Sequence, residues 1–298
     1  MNKSSSPYFP TTLPIGTIGD LLAGCTAMLL SEGVAEPQRE AREIVAAVLD
    51  VPKFWAAANS VADASPDVAI AVIRAAMKRA IGAPLAYAVG RASFRHLTLE
   101  VDERVLIPRV ETEVLVERVL ERCQPGPLRV ADIGTGSGAI ALSLAFERHF
   151  DRVFATDISL DAIHVAAGNA ASFGKVLKSP VEFRLGSLLA PLGNEMLHAV
   201  VCNPPYVSFA ELGDLPRDVR DWEPCLALLS PQDGLSLTHD LVKHAPRNLV
   251  SGGLLAIEVD TRRAGMVAEM VAVDGRYAQV EVLLDLTGRE RFVFARRV

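Results

Sequence analysis

Four consecutive residues, Asn203-Pro204-Pro205-Tyr206, carry the groups in this 298-residue chain best suited to chemistry. They follow His198-Ala199-Val200-Val201-Cys202, an apolar run that predicts a buried strand. Neither proline has an N–H and both fix φ, so the strand must stop at Asn203 and continue as a rigid, extended loop. Such a loop presents the Asn203 side-chain oxygen and the Pro204 carbonyl as neighbouring acceptors, and Tyr206 adds a flat ring beside them. Two acceptors and a ring fit a planar NH2 group, which has two donors in one plane and a face for stacking. Standing alone, Asn-Pro-Pro also fits an ordinary strand end with a turn, so the surrounding elements carry the decision.

From Val130 onward strands and helices alternate, the pattern of an α/β sheet. Val130-Ala131-Asp132-Ile133 predicts a strand that runs into Gly134-Thr135-Gly136-Ser137-Gly138, with a helix starting at Ala139. Glycines there permit a tight turn and close backbone approach to a ligand, and the helix N-terminus adds N–H donors. The next strand, Arg152 to Thr156, ends in Asp157, 23 residues past Gly134. A carboxylate at that place accepts both hydroxyls of a ribose, although it also suits the start of a helix. A helix over Leu160–Phe173, a strand over Val181–Leu185, a helix over Leu237–Leu249 and a strand over Leu254–Val259 extend the pattern. Val280–Asp285 and Arg291–Ala295 predict a terminal hairpin around Leu286-Thr287-Gly288-Arg289. Ser208–Pro231, with Trp222-Glu223-Pro224, is predicted irregular and suits a substrate wall or lid.

A glycine loop followed by an acid fits either a nicotinamide dinucleotide or S-adenosylmethionine. Three features favour the second. The late glycine of the dinucleotide fingerprint is replaced by Ala139. The sheet ends in a hairpin. Asn203 to Tyr206 follows the fourth strand, facing the place where a methyl sulfonium would lie.

The remainder of the chain bounds the reading. Ile15 to about Gly90 reads as helical, with Thr17 capping a helix through Leu30 and apolar residues at helical spacing in Glu36–Leu49 and Pro66–Ile81. Nothing in it suggests catalysis. Leu97–Val101 and Val105–Ile107 predict a β-hairpin linking two domains, and a helix is expected from Val114 to about Arg122. The expected division is a loose tail over 1–14, a helical domain over 15–86, a hairpin linker over 87–108 and a catalytic domain over 109–298. Net charge is −6, so binding nucleic acid through bulk charge is disfavoured. Four scattered cysteines (Cys25, Cys123, Cys202, Cys225) lack metal or redox spacing and predict reduced thiols in a cytoplasmic protein. No metal site is expected. Met1–Pro14 lacks the long apolar core of a signal peptide, and Leu21–Leu30 is too short to span a bilayer.

These motifs, taken together, resemble the HemK/PrmC family of glutamine N5-methyltransferases, which modify peptide chain release factors. The resemblance runs from about Pro84 to the end. It rests on Pro84-Leu85-Ala86-Tyr87, Gly90, Phe94, Val105-Leu106-Ile107-Pro108-Arg109, Glu111-Thr112-Glu113, Asp132 to Ala145, Asp157-Ile158-Ser159, Asn203-Pro204-Pro205-Tyr206, Glu223-Pro224, Asp233-Gly234-Leu235 and Asp285-Leu286-Thr287-Gly288-Arg289. It implies a Rossmann-like class I methyltransferase: a seven-stranded sheet with a terminal antiparallel hairpin, after a small helical domain. It implies that Gly134, Thr135, Gly136, Ser137, Gly138, Asp157, Leu188 and Asn203 bind S-adenosylmethionine, and that Asn203, Pro204, Pro205 and Tyr206 hold the substrate. The chain departs from the family at Val110, Arg95-His96, Ser187-Leu188, His239 and Asp260-Thr261-Arg262-Arg263.

The expected mechanism gives Asn203, Pro204 and Tyr206 the catalytic work. Asn203 and the Pro204 carbonyl accept the two amide hydrogens, aim the nitrogen at the methyl group and favour the pyramidal nitrogen of the transition state. Transfer leaves S-adenosylhomocysteine. The expected partner is a peptide chain release factor with its Gly-Gly-Gln glutamine. The departures keep a second substrate class open, a small-molecule amide, amine or guanidine. An adenine N6-methyltransferase shares the Asn-Pro-Pro-Tyr motif, but the acidic charge and the lack of a basic base-reading domain argue against it. A non-catalytic cofactor-binding module and a dehydrogenase fit the intact motif less well.

Overall fold

The computed structural model describes residues 16–124, 126–231 and 233–298 of the chain. The expected tail, 1–14, lies outside them. The chain divides into two compact units, with the break between Val89 and Gly90.

The first unit is helical: α1 (Ile18–Ser31), α2 (Pro37–Leu49), α3 (Trp55–Ala58), α4 (Pro66–Ala80) and α5 (Leu85–Val89). Thr17 and Asp20 close a capping box at the start of α1, satisfying donors that a bare helix end would leave orphaned. Ser65 caps α4 just before Pro66, whose missing N–H costs nothing at a first helical position. Leu29, Ile44, Val45, Val72 and Ala76 form its core. Among the described residues of this unit Glu40 is the buried charge, and Arg79 of α4 pairs with it.

The second unit opens with a hairpin, β1 (Arg91–Phe94) and β2 (Leu97–Glu100), paired antiparallel. The hairpin therefore lies earlier than the sequence predicts, and Val105–Ile107 forms no strand. Arg95 adopts a left-handed φ of 51°, which makes the short turn, while Pro108 denies the later segment a ladder donor. Next come α6 (Val110–Arg122), β3 (Arg129–Ile133), α7 (Ala139–Glu147), β4 (Arg152–Asp157), α8 (Leu160–Phe173), β5 (Val181–Leu185) and β6 (Leu197–Cys202). Helix α6 begins at Val110 rather than Val114, so Thr112 is part of its first turn.

The stretch predicted as irregular is instead a chain of short helical turns: a 3-10 turn over Phe209–Asp214, then α9 (Arg217–Trp222) and α10 (Cys225–Leu228). A capping box between Ser208 and Glu211 starts the first, and Pro216 and Pro224 stand just ahead of the other two. Helix α11 (Ser236–His244) ends five residues before the expected Leu249, because a tight turn containing Pro246 follows and Leu249 already opens β7 (Leu249–Glu258). Helix α12 (Ala264–Val273) has no counterpart in the sequence reading. Its run of alanine, methionine and valine lacks the polar face that marks a surface helix, and no side chain caps it. β8 (Tyr277–Leu284) and β9 (Glu290–Arg297) form the terminal hairpin.

β3 to β9 make one seven-stranded sheet in the order β5-β4-β3-β6-β7-β9-β8. The first five strands are parallel; β9 and β8 run antiparallel. Ile133, Val200, Leu255 and Ile257 share a core with Leu241 of α11 and Val267 and Val271 of α12. Chain order reverses between β3 and β6, and in open α/β sheets ligands bind at that crevice, off the carboxyl ends of the strands. Among the described residues no helix is long and apolar enough to cross a membrane.

Candidate active site

Strand register sets the site. Ile133 pairs with Thr156 on one side and Cys202 on the other, and Cys202 pairs with Ile257. The next residue on each strand is therefore Asp157, Gly134, Asn203 and Glu258, level along the carboxyl edge, with strands about 4.8 Å apart.

On the β3–β4 side, Gly134, Gly136 and Gly138 have φ of 74°, 55° and 86°, values that side chains rarely tolerate. A Cβ at Gly134 or Gly136 would meet nothing within 4 Å, so open space lies over the loop. Asp132 is fully buried; its Oδ2 accepts from the Thr135 hydroxyl at 2.7 Å and the Ala141 N–H at 3.1 Å, and its Oδ1 has no partner. Burial pushes its carboxyl up to about 7 against those two hydrogen bonds. Asp157 accepts from Gly136 N–H and Ser159 N–H, both at 2.9 Å, and burial again raises its pKa. Asn169 of α8 donates to the Ser137 carbonyl at 2.9 Å, fixing the loop from outside. Ser137 and Thr135 are buried. Leu188 follows β5 with a left-handed φ of 47°, and its carbonyl accepts from Thr156 Oγ1 at 3.0 Å.

On the β6–β7 side, Asn203 Nδ2 donates to Thr112 Oγ1 at 3.1 Å, and Thr112 Oγ1 donates to Glu258 Oε2 at 2.7 Å. Burial pushes Glu258 up to about 7, against the pull of Thr112 and Arg291. Burial also pushes the Tyr206 phenol up to about 12, so it stays protonated at neutral pH. Asn203, Pro204, Pro205 and Tyr206 line a cavity of about 200 Å³ with Arg109 and with the apolar side chains of Leu106, Leu215, Val219 and Leu228. Buried Glu223 ties the far wall down: it pairs with Arg109 and accepts from Ile107 N–H at 3.3 Å. Glu211 anchors the first helical turn of that wall. Burial opposes its ionisation, but bonds from Ser208 and Arg263 hold it down to about 2.

Residues 110–213 match the model of the methyltransferase small domain. A release factor glutamine methyltransferase of Moorella thermoacetica is 40% identical over 282 residues, which is 94% of this chain and 99% of that protein. The chain belongs to the release factor glutamine methyltransferase family. A second member, from Deinococcus radiodurans, is 38% identical and covers 93% of this chain and 98% of its own length. Among solved structures, the hMettl16 catalytic domain, in complex with a MAT2A 3'UTR hairpin, superposes with a TM-score of 0.53 at 15% identity. That match covers 78% of this chain and 82% of the other, and it reports the shared class I methyltransferase fold.

Every residue that the sequence singles out lies along this one edge: the glycine loop, Asp157 and Leu188 on one side of β3, and Asn203 to Tyr206 beside the cavity on the other. Thr112, Asn169 and Glu258 were not singled out as site residues. Thr112 stands in a family-matching segment, but no local pattern joins it or Glu258 to Asn203, because the joining bonds span 91 and 146 residues.

Proposed function

We propose that this protein transfers a methyl group from S-adenosylmethionine to the side-chain nitrogen of the Gly-Gly-Gln glutamine of a peptide chain release factor. The observation that carries the substrate is the near full-length match to relatives bearing that activity in their name. Asn203 to Tyr206, at the mouth of an apolar cavity beside the glycine loop, is what the chemistry requires.

The residues fit the cofactor on two counts. The space over Gly134 and Gly136 accepts a ligand pressed against backbone. Asp132 and Glu258 are buried and Asp157 is half-buried, and burial opposes the ionisation of all three, so a cationic ligand relieves them, whereas a dinucleotide pyrophosphate would add like charge. S-adenosylmethionine supplies the methyl on a sulfonium, and the electron pair of the broken sulfur–carbon bond stays on sulfur. Asp157 has lone pairs left for ribose hydroxyls beyond its two backbone bonds. Gly134 to Gly138 would cradle the ligand, and Leu188 would stand beside it.

Asn203 Oδ1 and the Pro204 carbonyl accept the two hydrogens of the glutamine NH2. A planar amide nitrogen is a poor nucleophile; two fixed acceptors aim its lone pair and favour the pyramidal, more positive nitrogen of the transition state. Tyr206 and Pro205 pack on the amide plane. The nitrogen lone pair forms the new bond to carbon, and one nitrogen proton then leaves to solvent. Four unpaired cysteines agree with a cytoplasmic setting.

The test is transfer of radiolabelled methyl to a release factor and, in parallel, to a small-molecule extract. Label on the Gly-Gly-Gln glutamine, lost when that residue is replaced, is the expected result. Label confined to the small-molecule fraction would overturn the substrate while keeping the chemistry.

A further inference from the structure

The proposed reaction gives Thr112 and Glu258 no task, yet both are buried and chained to the residue at its centre. Glu258 is 2% and Thr112 4% exposed. Thr112 Oγ1 stands 2.7 Å from Glu258 Oε2 and 3.1 Å from Asn203 Nδ2. An ionised carboxylate only accepts, so the one hydroxyl proton of Thr112 goes to Glu258. The Thr112 oxygen then offers only lone pairs to Asn203, and only the NH2 of that carboxamide can meet them. Asn203 Oδ1 is thereby left for a guest. The flipped carboxamide would oppose its NH2 to the substrate NH2, donor against donor.

We propose that Thr112 and Glu258 are positioning residues for methyl transfer: ionised Glu258 fixes the Thr112 hydroxyl, and Thr112 fixes the Asn203 carboxamide with its oxygen toward the substrate amide. The inference rests on the reading of Asn203 as an acceptor.

The chain of bonds also responds to pH. Protonated Glu258 can donate to Thr112, which frees the Thr112 proton for Asn203 Oδ1 and favours the flipped carboxamide. The groups facing Glu258 are Arg109 and Glu111 at the start of α6, Arg291 on β9, Cys202 on β6 and Tyr206 just after it. Burial pushes Cys202 and Tyr206 upward, so those two stay neutral. Burial pushes Glu258 up to about 7, within the working range, against Thr112 and Arg291. Turnover is therefore expected to fall as pH drops through about 7.

The experiment compares wild type, Thr112→Val, Thr112→Ser, Glu258→Gln and Asn203→Ala as full chains, with a release factor as substrate. Calorimetry gives S-adenosylmethionine affinity and thermal melting reports folding. Thr112→Val is expected to lower kcat roughly 10- to 100-fold, the effect of one lost orienting hydrogen bond, with cofactor Kd unchanged. Thr112→Ser should restore kcat, and the acid limb should vanish in Glu258→Gln. A folded Thr112→Val with wild-type kcat, beside an inactive Asn203→Ala, overturns this inference alone. An active Asn203→Ala overturns the reading beneath it. If Thr112→Val does not fold, the Glu258→Gln profile decides: an unchanged acid limb overturns the proposal.

Discussion

The bonds that shape the glycine loop and those that shape the Asn203 loop differ in how much chain they span. Asp132 is met by Thr135 and Ala141, three and nine residues away, and Asp157 by Ser159 and Gly136, two and 21 away. Asn203 reaches Thr112 across 91 residues, Thr112 reaches Glu258 across 146, and Glu223 reaches Ile107 across 116. The glycine loop takes its shape once β3, α7, β4 and α8, neighbours in the chain, are in place. The Asn203 loop takes its shape only once α6, β6, β7 and the segment around Trp222 are all in place. Binding geometry is thus locally encoded on one side of β3, and reacting geometry is encoded by the fold on the other.

The largest expected effect tests that division directly. Asn203→Ala should lower kcat about 100- to 1,000-fold, the usual effect of removing one oriented transition-state partner, with cofactor Kd nearly unchanged. A loss that falls on Kd instead would merge the two sides into one. Asp157→Ala should do the reverse. Calorimetry should show S-adenosylmethionine affinity weakened roughly 10- to 100-fold, for the loss of charge-assisted bonds, with kcat at saturation close to wild type.

The same contrast explains what the sequence reveals. Gly134 to Gly138 between a strand and a helix, and Asp157 at the next strand end, are local patterns whose physical reason lies within a few residues. The prolines after Asn203 end a strand by their own covalent structure. The alternating sheet and its terminal hairpin follow from alternation and from the family resemblance. What escaped depended on distance or on a missing pattern. Val105–Ile107 reads as a strand by composition, yet the Ile107 N–H goes to Glu223, so no ladder forms there. Helix α12 is apolar apart from Glu269 and shows no clear period. Thr112 reads as one more residue of a helix start until β7 brings Glu258 beside it.

The buried acids give a third prediction, in stability. Asp132 is pushed up to about 7 from an ordinary value of 3.8, so between those values the folded chain holds a proton that the unfolded chain has lost. Stability from this group is therefore highest at low pH and falls as pH rises from about 4 to about 7. Glu258 acts in the same direction. Asp132→Asn should flatten that slope by on the order of 1–3 kcal/mol between pH 5 and 8, read by urea denaturation. A slope that is unchanged would mean the site stays wet enough to ionise freely.

Two glycines of one loop sharpen the comparison further. Gly138→Ala places a Cβ 3.0 Å from Leu142 and 3.3 Å from Ala166 at a φ of 86°, so it should lower the melting temperature by several degrees for about 1–2 kcal/mol of strain. Gly136→Ala meets nothing within 4 Å, and its Cβ would stand in the open space over the loop. Its larger effect should be on cofactor affinity, measured by calorimetry. Equal losses of affinity in both variants would show that the whole loop, not the open part of it, receives the ligand.

The smallest expected effect concerns Tyr206. Burial pushes its phenol up to about 12, so it holds its proton throughout the working range and takes none from the substrate. The amide nitrogen needs no base before transfer, because its lone pair attacks while both hydrogens are still held by acceptors. The ring face, not the hydroxyl, then does the positioning. Tyr206→Phe keeps the ring and should retain kcat within roughly threefold, whereas Tyr206→Ala empties part of the cavity and should raise KM for the release factor. A large kcat loss in Tyr206→Phe, with a changed alkaline limb, would move proton transfer into the rate-limiting step and make the Asn203 side of the edge an acid–base site rather than an orienting one.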